Sequence, residues 1–325
     1  MNEFNGFNSI KTPENWKTDL YSLIDEKKNQ KTRHRRFSMA LAAVLALSIL
    51  LSGVAIAIGL GWHEQLLNYL TPSKEQLSVL EGGVNTPEAS VSQGGVTVTV
   101  KQTLADAFGI YVLYEMTVPD SVELNDNVGW ESISLDVPVD KAGGYVAVYT
   151  TGSIILEQSR SKRTVLVHQQ TSAPLKSGKI ELILQNLISY DNTGEAKPFF
   201  ALIEGNWTLE WDFNYVDTGK TFEVSLPLSI SGSRNTIEKA VVSPISVCIY
   251  VSGDSIQTGA CPVVNFKDGS SVIFDSKSRN AGFTYYLSDE ENGVYMNQLY
   301  YRFENIVDLD AVSSIQLGDQ LIPIE

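Results

Sequence analysis

Two cysteines and three histidines are all that 325 residues supply of the side chains that most often hold zinc or pair as nucleophile and base. Cys248 and Cys261 are too few for a disulfide-dense scaffold, so the fold must rest on its own apolar core. No Cys-x-x-Cys pair exists, which removes the usual signature of thiol redox chemistry. His34 and His63 flank an apolar run, leaving His168 alone in the part expected to fold. It sits within Val165-Leu166-Val167-His168-Gln169, and no nucleophile-elbow sequence accompanies it, so a Ser-His-Asp triad lacks its parts. Zinc sites want several His or Cys at short spacing, and phosphate sites want a glycine-rich loop; neither pattern occurs. The expectation is a protein with no catalytic residues, no metal ligands and no cofactor.

Basic residues are scarce as well, 24 against 38 acidic ones, for a net charge of −14. They are also unevenly spread. Residues 1–36 hold eight Lys and Arg against five Asp and Glu, which leaves 16 basic and 33 acidic residues for the rest. So acidic a remainder repels phosphate backbones and anionic headgroups, which argues against direct nucleic-acid binding. Carboxylate groups such as Asp120 with Glu123, or Asp289 with Glu290 and Glu291, stand beside Asn and Gly in loops. Solvated turns account for them better than calcium ligation or glycosidase chemistry does.

What the chain does have is a run of 26 uncharged residues, Phe37 to Trp62, preceded by Lys31, Arg33, Arg35 and Arg36. About 20 helical residues at about 1.5 Å each cross a hydrocarbon core of roughly 30 Å, so the run predicts a transmembrane helix over 37–62. Ala55-Ile56-Ala57 offers the competing reading of a cleaved signal peptide, against which stands the long polar leader. Positive residues stay on the cytoplasmic side, which predicts a single-pass cell-membrane protein with its N-terminus cytoplasmic and residues 63–325 extracellular. Trp62 then falls where an interfacial aromatic belongs. Gly53, Ala57 and Gly61 recur every fourth residue and would give the span a close-packing face.

In the leader, Thr12-Pro13-Glu14 reads as a helix start, and Trp16, Leu20, Leu23 and Ile24 follow at offsets 0, 4, 7 and 8. A helix this short cannot bury such a stripe by itself. Asp19, Asp25 and Glu26 share its polar face with Lys17, Lys27 and Lys28, unlike a cationic membrane-surface helix, so the stripe predicts a protein partner.

After the span, residues 63–94 read as a juxtamembrane helix limited by Pro72 and then a linker, with Gly82-Gly83 and Gly94-Gly95 as its loosest points. From Val96 the apolar period becomes two, and short strand candidates follow one another with turn signals between them and no amphipathic helices. The fold class expected is mainly β: two tandem β-sandwich, immunoglobulin-like domains over 95–232 and 233–325, joined at Ser231-Gly232-Ser233. Trp207, Leu209, Trp211 and Phe213 alternate with polar residues and read as core. Cys248 and Cys261 flank a candidate hairpin at Ser252-Gly253-Asp254-Ser255, where opposed cysteines on neighbouring strands could meet as a disulfide or remain two thiols.

The ordered combination of leader, basic stop and span is followed by Gly94-Gly95-Val96-Thr97-Val98-Thr99-Val100 and Gly109-Ile110-Tyr111-Val112-Leu113-Tyr114-Glu115. Further on come Val242-Ser243-Pro244-Ile245-Ser246-Val247, Phe266-Lys267-Asp268-Gly269-Ser270 and the ending Ile315 to Ile324. In these features the chain resembles a family of uncharacterised single-span membrane proteins of low-GC Gram-positive bacteria. Their genes adjoin those of extracytoplasmic-function sigma factors, and they are regarded as anti-sigma factors. The resemblance implies a regulator whose outer β domains sense an envelope signal. In it the Trp16, Leu20, Leu23, Ile24 stripe would hold a sigma factor, with an intramembrane protease as a further partner. The alternative is an anchored extracellular adhesion or ligand-binding module.

Overall fold

The computed structural model describes residues 62–72, 77, 80, 84–140, 148–190, 199–230, 233–253, 261–274, 283–289 and 294–324. The first nine strands are β1 (Val84–Asn85), β2 (Ser90–Gln93), β3 (Val96–Ala105), β4 (Gly109–Thr117), β5 (Val128–Asp136), β6 (Val148–Gln158), β7 (Lys162–Thr171), β8 (Gly178–Tyr190) and β9 (Phe199–Phe213). They form a six-stranded sheet in the order β1-β3-β4-β7-β6, with β2 also on β3, and a three-stranded sheet β5-β8-β9.

The alternation seen in the sequence decides which face of each strand is buried. Val96, Val98 and Val100 are fully buried while Thr97, Thr99 and Lys101 between them are half-buried. Trp207, Leu209, Trp211 and Phe213 turn inward from β9. The two sheets share one apolar core, where the rings of Trp130 and Trp207 lie 4.9 Å apart. Both indole N–H groups are used: Trp130 donates to Tyr114 Oη at 3.1 Å and Trp207 to the Val96 carbonyl at 3.0 Å. Gly94-Gly95, read from the sequence as linker, is instead the two-residue turn of the β2–β3 hairpin, with φ of 57° and 78°. Two consecutive residues at positive φ match the twist of a tight hairpin and favour glycine at both places.

The second group comprises β10 (Lys220–Ile230), β11 (Ser233–Val242), β12 (Ser246–Gly253), β13 (Val263–Phe266), β14 (Ser271–Ile273), β15 (Phe283–Asp289), β16 (Val294–Arg302), β17 (Val312–Leu317) and β18 (Gln320–Pro323). A five-stranded sheet β10-β11-β12-β16-β15 and a four-stranded sheet β14-β13-β17-β18 share a second core. Phe274 packs there at 5.3 and 5.4 Å from the rings of Tyr301 and Phe303. The strands on either side of Ser231-Gly232 pair with one another, Ile230 opposite Ser233, so β10 packs in this second core.

Ahead of the strands, the short helix α1 (Glu64–Leu70) is capped by His63 and ends at Thr71, whose φ is 46°. Its apolar side is covered by protein. Leu66, Leu67 and Leu70 are buried, Trp62 is 3 % exposed, and Tyr69 sits edge-on to Tyr111 of β4 with centroids 6.3 Å apart.

Two expectations are corrected by this architecture. Among the described residues no helix is long and apolar enough to cross a membrane. Residues 37–61, with Gly53, Ala57 and Gly61, lie outside the described residues, and Trp62, assigned to a membrane interface, is instead packed in protein. The transmembrane topology, the cell-membrane localisation with N-terminus cytoplasmic and C-terminus extracellular, and the membrane-anchored reading built on them are therefore not carried further. The tandem immunoglobulin-like sandwiches are corrected to four open sheets. Period-two patterning specifies the inward face of a strand but leaves open which strands pair and whether a sheet closes.

Candidate functional site

Between β3 and β4 the chain reverses through Asp106-Ala107-Phe108, an acid flanked by apolar residues on both sides. Asp106 is 1 % exposed. Its Oδ1 accepts from the backbone N–H of Phe108 at 3.0 Å and of Gly109 at 2.7 Å, which shapes the turn. Its Oδ2 accepts from the hydroxyls of Ser243 and Ser246, at the β11–β12 connection. One carboxylate thus ties the two groups of sheets together. Burial raises its pKa, and the two serine hydroxyls followed by the two backbone donors act in the opposite direction.

Around it lies a small third cluster of Ala107, Phe108, Val241, Cys248, Tyr250 and Tyr300. Phe108 meets Tyr250 edge-on at 6.1 Å, and Lys239 Nζ stands 4.4 Å from the centroid of the Tyr250 ring. Gly109 is there by necessity of space, since a Cβ on it would fall 2.5 Å from Tyr300 Oη. His168 of β7 packs its ring 4.5 Å from that of Tyr111, and the Arg302 guanidinium carbon stands 5.8 Å from the Tyr111 ring centroid. Burial, then the nearby Arg302 charge, push the His168 pKa well down, so the imidazole is neutral.

The bonding of these groups is structural in its geometry. Asp106 bonds the serines directly, whereas a catalytic triad places a histidine between them. Asp106, His168 and Tyr300 are all buried. The cluster is a joint.

A recess large enough for a ligand lies elsewhere, at the open side of the second core. It is a groove of about 450 Å³ between β14 and the segment that follows β16. Val272, Phe303 and Val307 line it, and Asp268, Glu304 and Asp308 stand in its exposed wall. Two of these acids also shape the chain. Asp268 accepts from the N–H and hydroxyl of Ser270 at 2.8 and 2.6 Å, while Asp308 accepts from Asp310 N–H at 2.9 Å. The Ser270 bonds hold the Asp268 pKa below its ordinary value. No His, Cys, Lys or Arg is among the described residues lining the groove.

The residues singled out in the sequence fall as follows. Trp16, Leu20, Leu23 and Ile24 lie outside the described residues. Cys248 and Cys261 are both free thiols. Cys248 belongs to β12, whose neighbours are β11 and β16, and accepts from Gln298 Nε2 at 3.1 Å; Cys261 precedes β13 in the facing sheet. Burial pushes the Cys248 thiol up to about 12. Glu123 pairs with Arg160 at 3.5 Å on the surface. Among the described residues no three His, Cys, Asp or Glu side chains are grouped to hold a metal ion. Sequence reasoning missed Asp106 and its serines, although a lone acid inside Leu104-Ala105-Asp106-Ala107-Phe108 is a visible anomaly. It missed the groove as well.

No family model matches the chain, and no curated protein matches it. The resemblance to anti-sigma membrane proteins is accordingly corrected: the chain is a mainly β protein, and the span that defines that family is absent among the described residues. Among solved structures, a conserved domain protein from Bacillus anthracis is 12 % identical, with 71 % of this chain and 75 % of that one covered at a TM-score of 0.48. The N-terminal periplasmic domain of ScsB from Proteus mirabilis is 10 % identical, with 73 % and 96 % covered at a TM-score of 0.22. Neither likeness carries an argument about function.

Proposed function

We propose that the described part of this chain is a non-enzymatic binding module whose ligand is positively charged. The observation that supports it is the division of labour among the polar side chains. Buried Asp106, Ser243 and Ser246 are committed to one another in the joint. The accessible recess is instead walled by carboxylates over an apolar floor, without a His, Lys, Arg or Cys among its described lining. Such a surface stabilises a cationic, partly apolar ligand by charge complementarity and burial. The net charge of −14 adds a long-range field of the same sign, which speeds encounter with cations.

Calorimetric titration of the whole chain with polylysine and with polyglutamate, at low and at physiological salt, tests the reading. Saturable polylysine binding that weakens with salt, and none by polyglutamate, is the expected result. Absence of saturable binding by any polycation, or binding indifferent to salt, would overturn it.

A further inference from the structure

The groove has an edge as well as a floor. In the β13–β14 pair, Phe266 N–H donates to the Ser270 carbonyl at 2.9 Å and Phe274 N–H to the Pro262 carbonyl at 3.1 Å. With Val264 opposite Val272 in the same register, Ser270, Val272 and Phe274 are the residues whose backbone groups face β13. The antiparallel pattern then turns the N–H and C=O of Ser271 and Ile273 outward. Among the described residues β14 is the last strand of its sheet, so these four groups form an open edge. Ile273 is 69 % exposed beside them. An edge with outward-facing donors and acceptors is a template for one more strand.

A strand laid along that edge sends alternate side chains to opposite faces. One set enters the groove above Val272, Phe303 and Val307, where the strand's flanks meet Asp268, Glu304 and Asp308; the other set faces the surroundings of a chain whose net charge is −14. The floor selects apolar residues and the wall selects cations. An anionic polymer or headgroup meets only repulsion there.

We infer that this groove takes an extended polypeptide segment in which apolar residues alternate with Lys or Arg, added to β14 as a further strand. The inference rests on the binding-module reading and names its ligand. Main-chain hydrogen bonds to Ser271 and Ile273 supply affinity irrespective of sequence, and the groove supplies the choice of side chains.

The experiment uses the full chain and three fluorescent heptapeptides: alternating Lys and Val, alternating Glu and Val, and seven Lys. The Lys-Val peptide is expected to bind, and the other two to bind at least about tenfold more weakly. Glu304→Lys reverses a charge in the wall without removing a capping contact, and is expected to weaken Lys-Val binding about tenfold. Glu210→Lys, on the exposed face of β9 in the other group of sheets, is expected to leave it unchanged. Because Ile273→Pro could disturb the fold, the edge is read in the unmutated chain by hydrogen exchange. The Ser271 and Ile273 amides are expected to slow at least about tenfold when peptide is bound. Peptide binding lost in Glu210→Lys and kept in Glu304→Lys would overturn the groove and leave the binding module standing. Unchanged exchange at Ser271 and Ile273, equal binding of heptalysine, or no binding of the Lys-Val peptide would each overturn strand addition. Cleavage or modification of the peptide, seen by mass, would overturn the non-enzymatic reading itself.

Discussion

Ser246 donates its hydroxyl to Asp106 across the boundary between two groups of β-sheets, 140 residues apart in the chain. Neither group can satisfy that contact alone. A buried carboxylate is costly unless hydrogen-bonded, and Asp106 has two donors from its own turn and two from the other side. The joint is therefore conditional on both cores being formed.

Replacing Asp106 by Ala leaves two hydroxyls and two backbone N–H groups without their acceptor. The expected loss is about 3 kcal/mol in unfolding free energy, read by urea denaturation, with a smaller loss for Asp106→Asn, which keeps an acceptor oxygen. Limited proteolysis of Asp106→Ala is expected to cut first at the exposed connection 214–219 between β9 and β10.

The crowding of Gly109 against Tyr300 gives a coupled pair. Gly109→Ala places a methyl 2.5 Å from Tyr300 Oη and is expected to destabilise by about 1–3 kcal/mol. Removing the hydroxyl with Tyr300→Phe is expected to recover at least half of the loss in the double variant. A double-mutant cycle with near-zero coupling would contradict the described contact.

His168 fixes the sign of one pH effect. Its pKa is lowered on folding from an ordinary 6.5, so below that value the unfolded chain binds the proton more tightly. Its share of stability is complete above about pH 6.5 and is lost as pH falls toward the folded value, at up to about 1.4 kcal/mol per pH unit. Asp106, raised from 3.8, acts oppositely, costing stability as pH rises above that value. Subtracting the pH–stability curve of His168→Gln from that of the unaltered chain removes the Asp106 contribution and is expected to leave the histidine slope.

Thiol labelling separates the two cysteines. Cys248 is fully buried with its pKa pushed up to about 12, whereas Cys261 is half-buried. A disulfide-exchange reagent at pH 8 is expected to label Cys261 promptly and Cys248 only at the rate of opening of the second core. Prompt labelling of both would mean that β12 is not shielded as described.

The sequence was most readable where local chemistry decides structure. Val96 to Val100 and Trp207 to Phe213 announce strands because one residue in two must be apolar on a half-buried face, and both fill the first core. Gly94-Gly95 could have been read as a turn from the same pattern, since it separates two alternating segments by two residues. The strand order could not, because pairing partners are chosen by contacts far along the chain. The membrane reading failed in a different way. Among the described residues no helix is long and apolar enough to cross a membrane, and Trp62, the one residue of the run that is described, is packed in protein. Asp106 could be noticed as odd but not explained, because Ser243 and Ser246 lie on another sheet. The groove was hidden for the same reason: Asp268 and Glu304 come from separate turns that only the fold brings to one wall.

The distance of Asp106 from its serines also has a consequence in time. At roughly 5–20 residues per second, a ribosome that has just added Asp106 needs on the order of ten seconds to reach Ser243, 137 residues later. Throughout that interval the first sheets emerge with a hydrated carboxylate and an uncovered Phe108 at their end. A newborn chain interrupted there is a half-molecule bearing a sticky, charged face, and the serines that close it are made only after all nine strands of the first group and two of the second.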